Sequence, residues 1–242
     1  MNDNPVNVGS WRVLSGSWLK LIAIVSMLID HLAHFIWRLD ESFFQVYFTI
    51  GSRAITPYFL LRLIGRLSFP IFAFLIVEGF QHTRSRRKYG RNLLVFALLS
   101  ELPWNLVHTG TWHHSGQNVI FTLFLGFLGL CVMERYAADK RRMALWLLTL
   151  LAASIFLNAD FSCIGFGFIL MLYVLRHNRI LQAVVGTCLI SGIHWMGGAA
   201  FIPINMYNQQ RGFIKGNVSK YLFYIFYPLH LLLIYLYLRY LY

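Results

Sequence analysis

The chain has 242 residues, of which 58% are hydrophobic and 12% charged, and its mean hydropathy is +0.59. A soluble domain carries roughly twice that charged fraction, so water is excluded as the main solvent. Lys and Arg number 21 against 9 acids, a net charge of +12 that in a soluble chain would suggest nucleic acid; here the basic residues sit in short connections between apolar runs, where membrane proteins keep cytoplasmic charge, and no nucleic-acid partner is expected.

The apolar runs are about 20 residues long and continuous, which predicts helices crossing a hydrocarbon core of about 30 Å and excludes a barrel of alternating strands. Residues 1–17 are polar, contain Gly and Ser, and predict a cytoplasmic tail, with Trp11, Arg12 and Trp18 as interfacial anchors. Residues 18–242 predict one helical transmembrane domain. Its first span, 18–39, contains Asp30 and His31 and lacks a small-residue cleavage site, so it reads as retained and not as a signal peptide. A mixed stretch precedes a second span, 57–80, interrupted by Pro70. Further spans are predicted at 89–107, 117–136, 143–157, 162–175, 180–196, a short one near 197–206, and 221–238. The expected fold is therefore an all-α polytopic membrane protein of about eight to nine transmembrane helices with a cytoplasmic N-terminus. Loops 84–91, 138–142, 176–179 and 211–220 fall inside, and 40–56, 108–116 and 158–161 outside, by the placement of Lys and Arg. No internal repeat signals an inverted-repeat transporter.

Ionisable residues inside spans cost several kcal/mol unless they face partners or a water-filled cavity, so each is a candidate site residue. Asp30 and His31 lie near mid-bilayer, and His34 shares a face with both. Neighbours in sequence point about 100° apart on a helix, so Asp30 is expected to pair with His34 or with an arginine from another span. Arg62 and Arg66 share one face, and Pro70 opens the backbone at Arg66, a setting suited to an anionic group; snorkelling to headgroups is the plainer use of Arg62. Glu78 with His82 leads into the basic loop of Arg84, Arg86, Arg87 and Lys88, which could hold phosphates or simply set topology. Glu101, Asn105 and Asn118 are candidate lining of an outer cavity, or else interhelical hydrogen-bond glue. Tyr227-Pro228-Leu229-His230 couples a kink to an intramembrane histidine at a depth similar to His31. His108, His113 and His114 read as ordinary loop histidines, and Cys131, Cys163 and Cys188 as small core residues, so no metal site is expected.

Leu19-Lys20 through Met27 to Asp30-His31, the run Gly65-Arg66-Leu67-Ser68-Phe69-Pro70-Ile71-Phe72-Ala73-Phe74, then Val77-Glu78-Gly79, Gln117-Asn118 and Tyr227-Pro228-Leu229-His230 resemble the TraX family of bacterial membrane proteins, whose namesake is associated with N-acetylation of conjugative pilin. The resemblance spans about residues 15 to 240 and is looser from 140 to 200, where Asp160, Gly165 and Gly167 stand out. It extends distantly to transmembrane acyltransferases, the acyltransferase-3 group and heparan-alpha-glucosaminide N-acetyltransferase, in which a membrane-embedded histidine serves transfer from a cytoplasmic acyl-CoA.

The resemblance implies a bacterial inner-membrane O- or N-acyltransferase using acetyl-CoA or another acyl-CoA, with a peptide, glycan or other envelope acceptor and membrane lipids as partners. His31 is then the base or transient acyl carrier, Asp30 and His230 set its protonation, and Arg66 meets the donor. Arg84, Arg86, Arg87 and Lys88 would meet the CoA phosphates, and Arg62, Glu78, Glu101, Asn105 and Asn118 the substrate. A proton-coupled transporter or lipid translocase using Asp30, His31 and His230, and a noncatalytic partner in surface assembly, are the alternatives. Homo-oligomer formation is left open.

Overall fold

The computed structural model describes residues 11–191, 195–214 and 216–241. The fold is mostly helical. Helix α1, Gly16–Phe35, buries Leu19, Ala23, Ser26 and Met27 along one face. Thr56 starts α2, Pro57–Gly65: its Oγ1 accepts the amide of Phe59 at 3.1 Å, and Pro57 occupies the first turn, where a missing amide costs nothing. The helix stops at Gly65, and α3, Ser68–His82, restarts after two residues. Pro70 has no amide to offer the carbonyl of Arg66, so the expected interruption is a break between two helices.

Side-chain caps set the next three starts. Ser85 accepts from Lys88 at α4, Arg86–Thr109; Asn118 from Ile120 at α5, Val119–Arg135; and Asp139 from Arg142 at α6, Lys140–Phe156. Helix α7, Ser162–Val174, and α8, Arg179–Ser191, follow. A 3-10 segment, Trp195–Ala200, leads into α9, Phe201–Asn205, and α10 covers Asn217–Tyr240. Among the described residues each predicted apolar run coincides largely with helix; 192–194, within the run predicted at 180–196, lie outside them.

The mixed stretch after α1 departs from the all-α expectation. Two 3-10 turns give way to a hairpin, β1 (Phe48–Ile50) against β2 (Arg53–Ile55), antiparallel with Phe48 opposite Ile55. Gly51, at φ 61°, takes the first central turn position, where the right-handed twist of the strands favours glycine.

Among the described residues, three helical stretches are long and apolar enough to cross a membrane: Gly16–Leu39, Pro57–His82 and Tyr221–Tyr240. Helix α4 is as long but opens on Arg86, Arg87, Lys88 and Arg91. The short run predicted near 197–206 is not a straight span. Helix α8 covers Arg179–Ser191. Its return through the 3-10 segment and α9 brings Asn205 and Tyr207 back to the start of α8, where Arg179 Nη1 donates to their carbonyls at 3.4 and 3.2 Å. The two runs form one short helical hairpin.

Helix α10 packs on α4 and α1, α1 on α2 and α3, and α5 on α4, α7 and α3. Leu19, Ile71, Phe80, Phe127, Phe168 and Leu231 are fully or almost fully buried between them. One end of the bundle gathers the basic segments, because the connection after α9 is clipped to the start of α1. The amide of Leu14 donates to Met206 O at 2.9 Å, that of Gly16 to Gln210 O at 2.8 Å, and Ser17 Oγ to Arg211 O at 2.9 Å.

Candidate functional site

Two cavities open between α1, α3, α5 and α10. The larger, about 760 Å³, lies at the basic end. Lys20, Arg84 and Arg211 supply its cationic lining and Glu78 its carboxylate, with His82 beside them, while Phe72, Leu75, Leu93 and Ile120 make its walls apolar. The smaller, about 220 Å³, is lined by Asp30, His31, His34, Arg62, Arg66, His108 and Asp160. Met27, Phe72, Val119, Leu123 and Tyr227 line both, so a mostly apolar neck is all that divides them.

Helical spacing explains the polar cavity's first wall. Met27, Asp30, His31, His34 and Phe35 recur at i, i+3, i+4, i+7 and i+8 on one face of α1. His31 Nδ1 lies 2.6 Å from His230 Nε2 of α10, with the rings within 10° of parallel. His230 Nδ1 is 2.8 Å from Phe226 O. A carbonyl only accepts, so His230 carries its proton on Nδ1; in the neutral ring Nε2 then accepts. His31 must donate from Nδ1, which leaves the lone pair on His31 Nε2, and no partner holds that atom among the described residues. The same logic applies to His108, whose Nδ1 donates to Trp104 O at 2.8 Å and whose Nε2 is left as an acceptor.

Asp30 finds its partner on another helix: Arg62 Nη1 donates to Oδ2 at 2.7 Å, with the two side chains 16% and 20% exposed. Asp30 Oδ1 and His34 Nδ1 are buried without a hydrogen-bond partner among the described residues. Such atoms are rare in folded proteins and mark places where a ligand or water completes the bonding. Gly65 permits the pairing, because a Cβ there would fall on the Asp30 carboxylate. Gly65→Ala is accordingly expected to force α1 and α2 apart and cost about 1–3 kcal/mol, read as a lower unfolding temperature in detergent.

Asp160 comes from the connection between α6 and α7. Gln117 holds that connection through backbone bonds, its amide to Asn158 O at 3.2 Å and its carbonyl to the Asp160 amide at 2.9 Å. Asn158, Phe161 and Ser162 take positive φ there, a strained path for residues with side chains, while Phe161 stacks on Phe69 at 3.8 Å. Burial pushes the Asp160 carboxyl up to about 6, against the amide of Phe161 and the charges of Arg66 and Arg62.

The predicted residues divide accordingly. Asp30, His31, Arg62 and Arg66 line the polar cavity, His230 supports it from behind, and Glu78 and Arg84 line the basic one. Arg86 instead pairs with Glu134 of α5, Nη2 to Oε1 at 2.9 Å, and lies over Phe80, while exposed Arg87 and Lys88 are not among either cavity's lining. Glu101, Asn105 and Asn118 also lie outside both linings. Asn118 Nδ2 donates to Glu101 Oε2 at 2.7 Å and Ala97 O at 2.9 Å, and Asn105 Nδ2 donates to Trp112 O at 2.8 Å. They tie α4 to α5 and to the connecting loop. His108, expected in a surface loop, belongs to the last turn of α4 and faces the cavity beside Phe35, ring centroids 4.9 Å apart. Lys20, Arg211 and Asp160 are the charged lining residues that the sequence did not assign to a site.

Comparison with known proteins adds the family. Residues 15–238 match the family described as TraX protein. A Dichelobacter nodosus protein described as a probable fimbrial assembly protein FimC, serogroup H1, is 26% identical over 244 residues, covering 89% of this chain and 92% of that one. No solved structure matches.

Proposed function

The chain belongs to the TraX family, and from that membership and the two joined cavities we propose a membrane-embedded acyltransferase that carries an acyl group from a cytoplasmic acyl-CoA to an amine or hydroxyl of an envelope acceptor. The observation carrying the proposal is the neck: it joins a basic, apolar-walled cavity to the polar one that His31 lines, and Tyr227 of the neck packs against His31. Lys20 and His31 are 11 residues apart on α1, about 16 Å along the helix axis. A donor with anionic phosphates, a flexible arm of that reach and a reactive carbonyl at its tip suits this shape; an acyl-CoA has all three.

In this scheme Lys20, Arg84 and Arg211 hold phosphates, the arm lies along Phe72, Leu75 and Ile120, and the thioester reaches the neck. The acceptor occupies the polar cavity, where its N–H or O–H hydrogens meet Asp30 Oδ1 and His31 Nε2. Attack on the thioester carbonyl forms the new C–N or C–O bond, and His31 Nε2 takes the nucleophile's proton. Collapse breaks the C–S bond, and the imidazolium returns the proton to the leaving thiolate. His230 stabilises the imidazolium by accepting from its Nδ1. The topology proposed with this scheme has seven crossings, α1, α2 with α3, α4, α5, α6, α7 and α10. The α8–α9 hairpin enters from the basic, cytoplasmic side of a bacterial inner membrane and returns to it.

Purified protein in lipid vesicles, supplied with an amine acceptor, is expected to release CoA thiol from acetyl-CoA. Lys20→Ala with Arg211→Ala is expected to raise the KM for acetyl-CoA about tenfold or more, since charge-assisted hydrogen bonds contribute about 1.5–3 kcal/mol each. Absence of turnover, together with proton-driven flux of another solute, would instead support a transporter. A second reading, a noncatalytic part in assembling a surface fibre, is favoured by the description of the Dichelobacter relative. Absence of both turnover and flux would support it.

A further inference from the structure

The neck contains a polar atom that the scheme above leaves unused. Tyr227 is 5% exposed and lines both cavities, and its hydroxyl is buried without a hydrogen-bond partner among the described residues. Buried tyrosine hydroxyls are ordinarily paired, because an orphaned one forfeits the hydrogen bonds that water would have given it. Here the ring is pinned on its apolar flank and the hydroxyl is not. Tyr227 packs edge-on to His31 and His230, with centroids 6.4 and 5.6 Å away. The hydroxyl itself lies beside the backbone amide of Val119, the first residue of α5.

That amide is one of the donors a helix leaves unsatisfied at its N-terminus, and the axis of α5 directs the positive end of its dipole toward the same place. Asn118 caps Ile120, the next residue, through its side chain, and its carbonyl accepts from Phe121, so the cap does not occupy the Val119 amide. A hydroxyl donor and a backbone amide therefore stand together at the neck, next to the histidine.

We infer that Tyr227 is a catalytic residue whose hydroxyl, with the Val119 amide beside it, binds the carbonyl oxygen of the acyl donor at the neck and stabilises the negative charge that develops there. The inference rests on the acyl-transfer scheme and assigns its missing electrophilic group. As the acceptor attacks, the carbonyl π electrons move onto oxygen, which takes hydrogen bonds from the Tyr227 hydroxyl and the Val119 amide; both donors keep their protons. When the C–S bond breaks, the electrons return to the carbonyl and the thiolate takes its proton from His31. Donors placed in advance in a site without bulk water are worth more to the transition state than to the uncharged thioester. Loss of the hydroxyl is therefore read in kcat more than in KM.

Tyr227→Phe removes only the hydroxyl. With the full chain in lipid vesicles, acetyl-CoA as donor and an amine as acceptor, thiol release is expected to fall about 10²-fold in kcat, while KM stays within about twofold. The unfolding temperature is expected to hold or rise, because an unpaired buried hydroxyl is removed. A kcat equal to that of the parent overturns the inference. So does a fall in kcat accompanied by a matching loss of thermal stability, which makes the hydroxyl structural. A parent protein that releases no thiol overturns the acyl-transfer scheme and the inference with it, whereas an active parent with an equally active Tyr227→Phe variant overturns the inference alone.

Discussion

His31→Ala is expected to lower acyl transfer from acetyl-CoA by about 10³-fold with the helical fold retained, the loss usual for a general base removed from an otherwise intact site. The expectation follows from the proton inventory of the histidine pair. Phe226 O fixes the proton on His230 Nδ1, His230 Nε2 fixes the proton on His31 Nδ1, and the remaining lone pair on His31 Nε2 belongs to a side chain lining the polar cavity. His230→Ala should cost less, because it removes the support for the imidazolium but not the base. A small vacated ring site in a cavity of about 220 Å³ should also allow added imidazole to restore part of the activity of His31→Ala. Equal initial rates for the parent and His31→Ala, measured as label moved from acetyl-CoA, would remove His31 from the chemistry.

Asp30→Leu is expected to destabilise the protein by about 3 kcal/mol or more, and Asp30→Leu with Arg62→Leu to recover most of that loss. Breaking a buried ion pair leaves a charge without compensation, whereas removing both partners removes the desolvation cost as well. The pair is about four-fifths out of solvent on both sides, so screening by water and salt is weak. Arg66 sharpens the imbalance: without Asp30, Arg62 and Arg66 share a small cavity in which Asp160 is the one carboxylate of the lining. Unfolding in mild detergent, followed by circular dichroism, checks the cycle. A double variant no more stable than Asp30→Leu alone would show that the pair is not coupled in this way.

Local physical signals made much of the site legible in the sequence. The depth of Asp30 and His31 in an apolar run marked the first wall, and the 100° helical step ruled out an Asp30–His31 contact and left His34 or an arginine from another span as the partner of Asp30. The structure supplies Arg62. Pro70 marked the break beside Arg66, and the Tyr227–His230 run marked α10. What the sequence hid depends on distant segments. Asp160 is buried only because three residues with positive φ fold its connection onto Gln117. Arg211 reaches the basic cavity only because its loop is clipped to Leu14, Gly16 and Ser17. His108 followed a helix that ends at Thr109, two residues beyond the predicted end, and those two residues change it from loop to lining. Arg86 resembled its basic neighbours until Glu134, 48 positions away, engaged it. The hairpin at 48–55 was masked by a stretch too short and too mixed for an alternating pattern to stand out.

The central claim is that donor and acceptor meet from opposite ends of one passage through the neck. Vesicles with the protein in a single orientation, labelled acetyl-CoA supplied only at the basic end and an amine acceptor only at the other, test it directly. The account predicts acetylated acceptor on the far side and free CoA on the near side, both lost in His31→Ala. Transfer that requires donor and acceptor on the same side would contradict it.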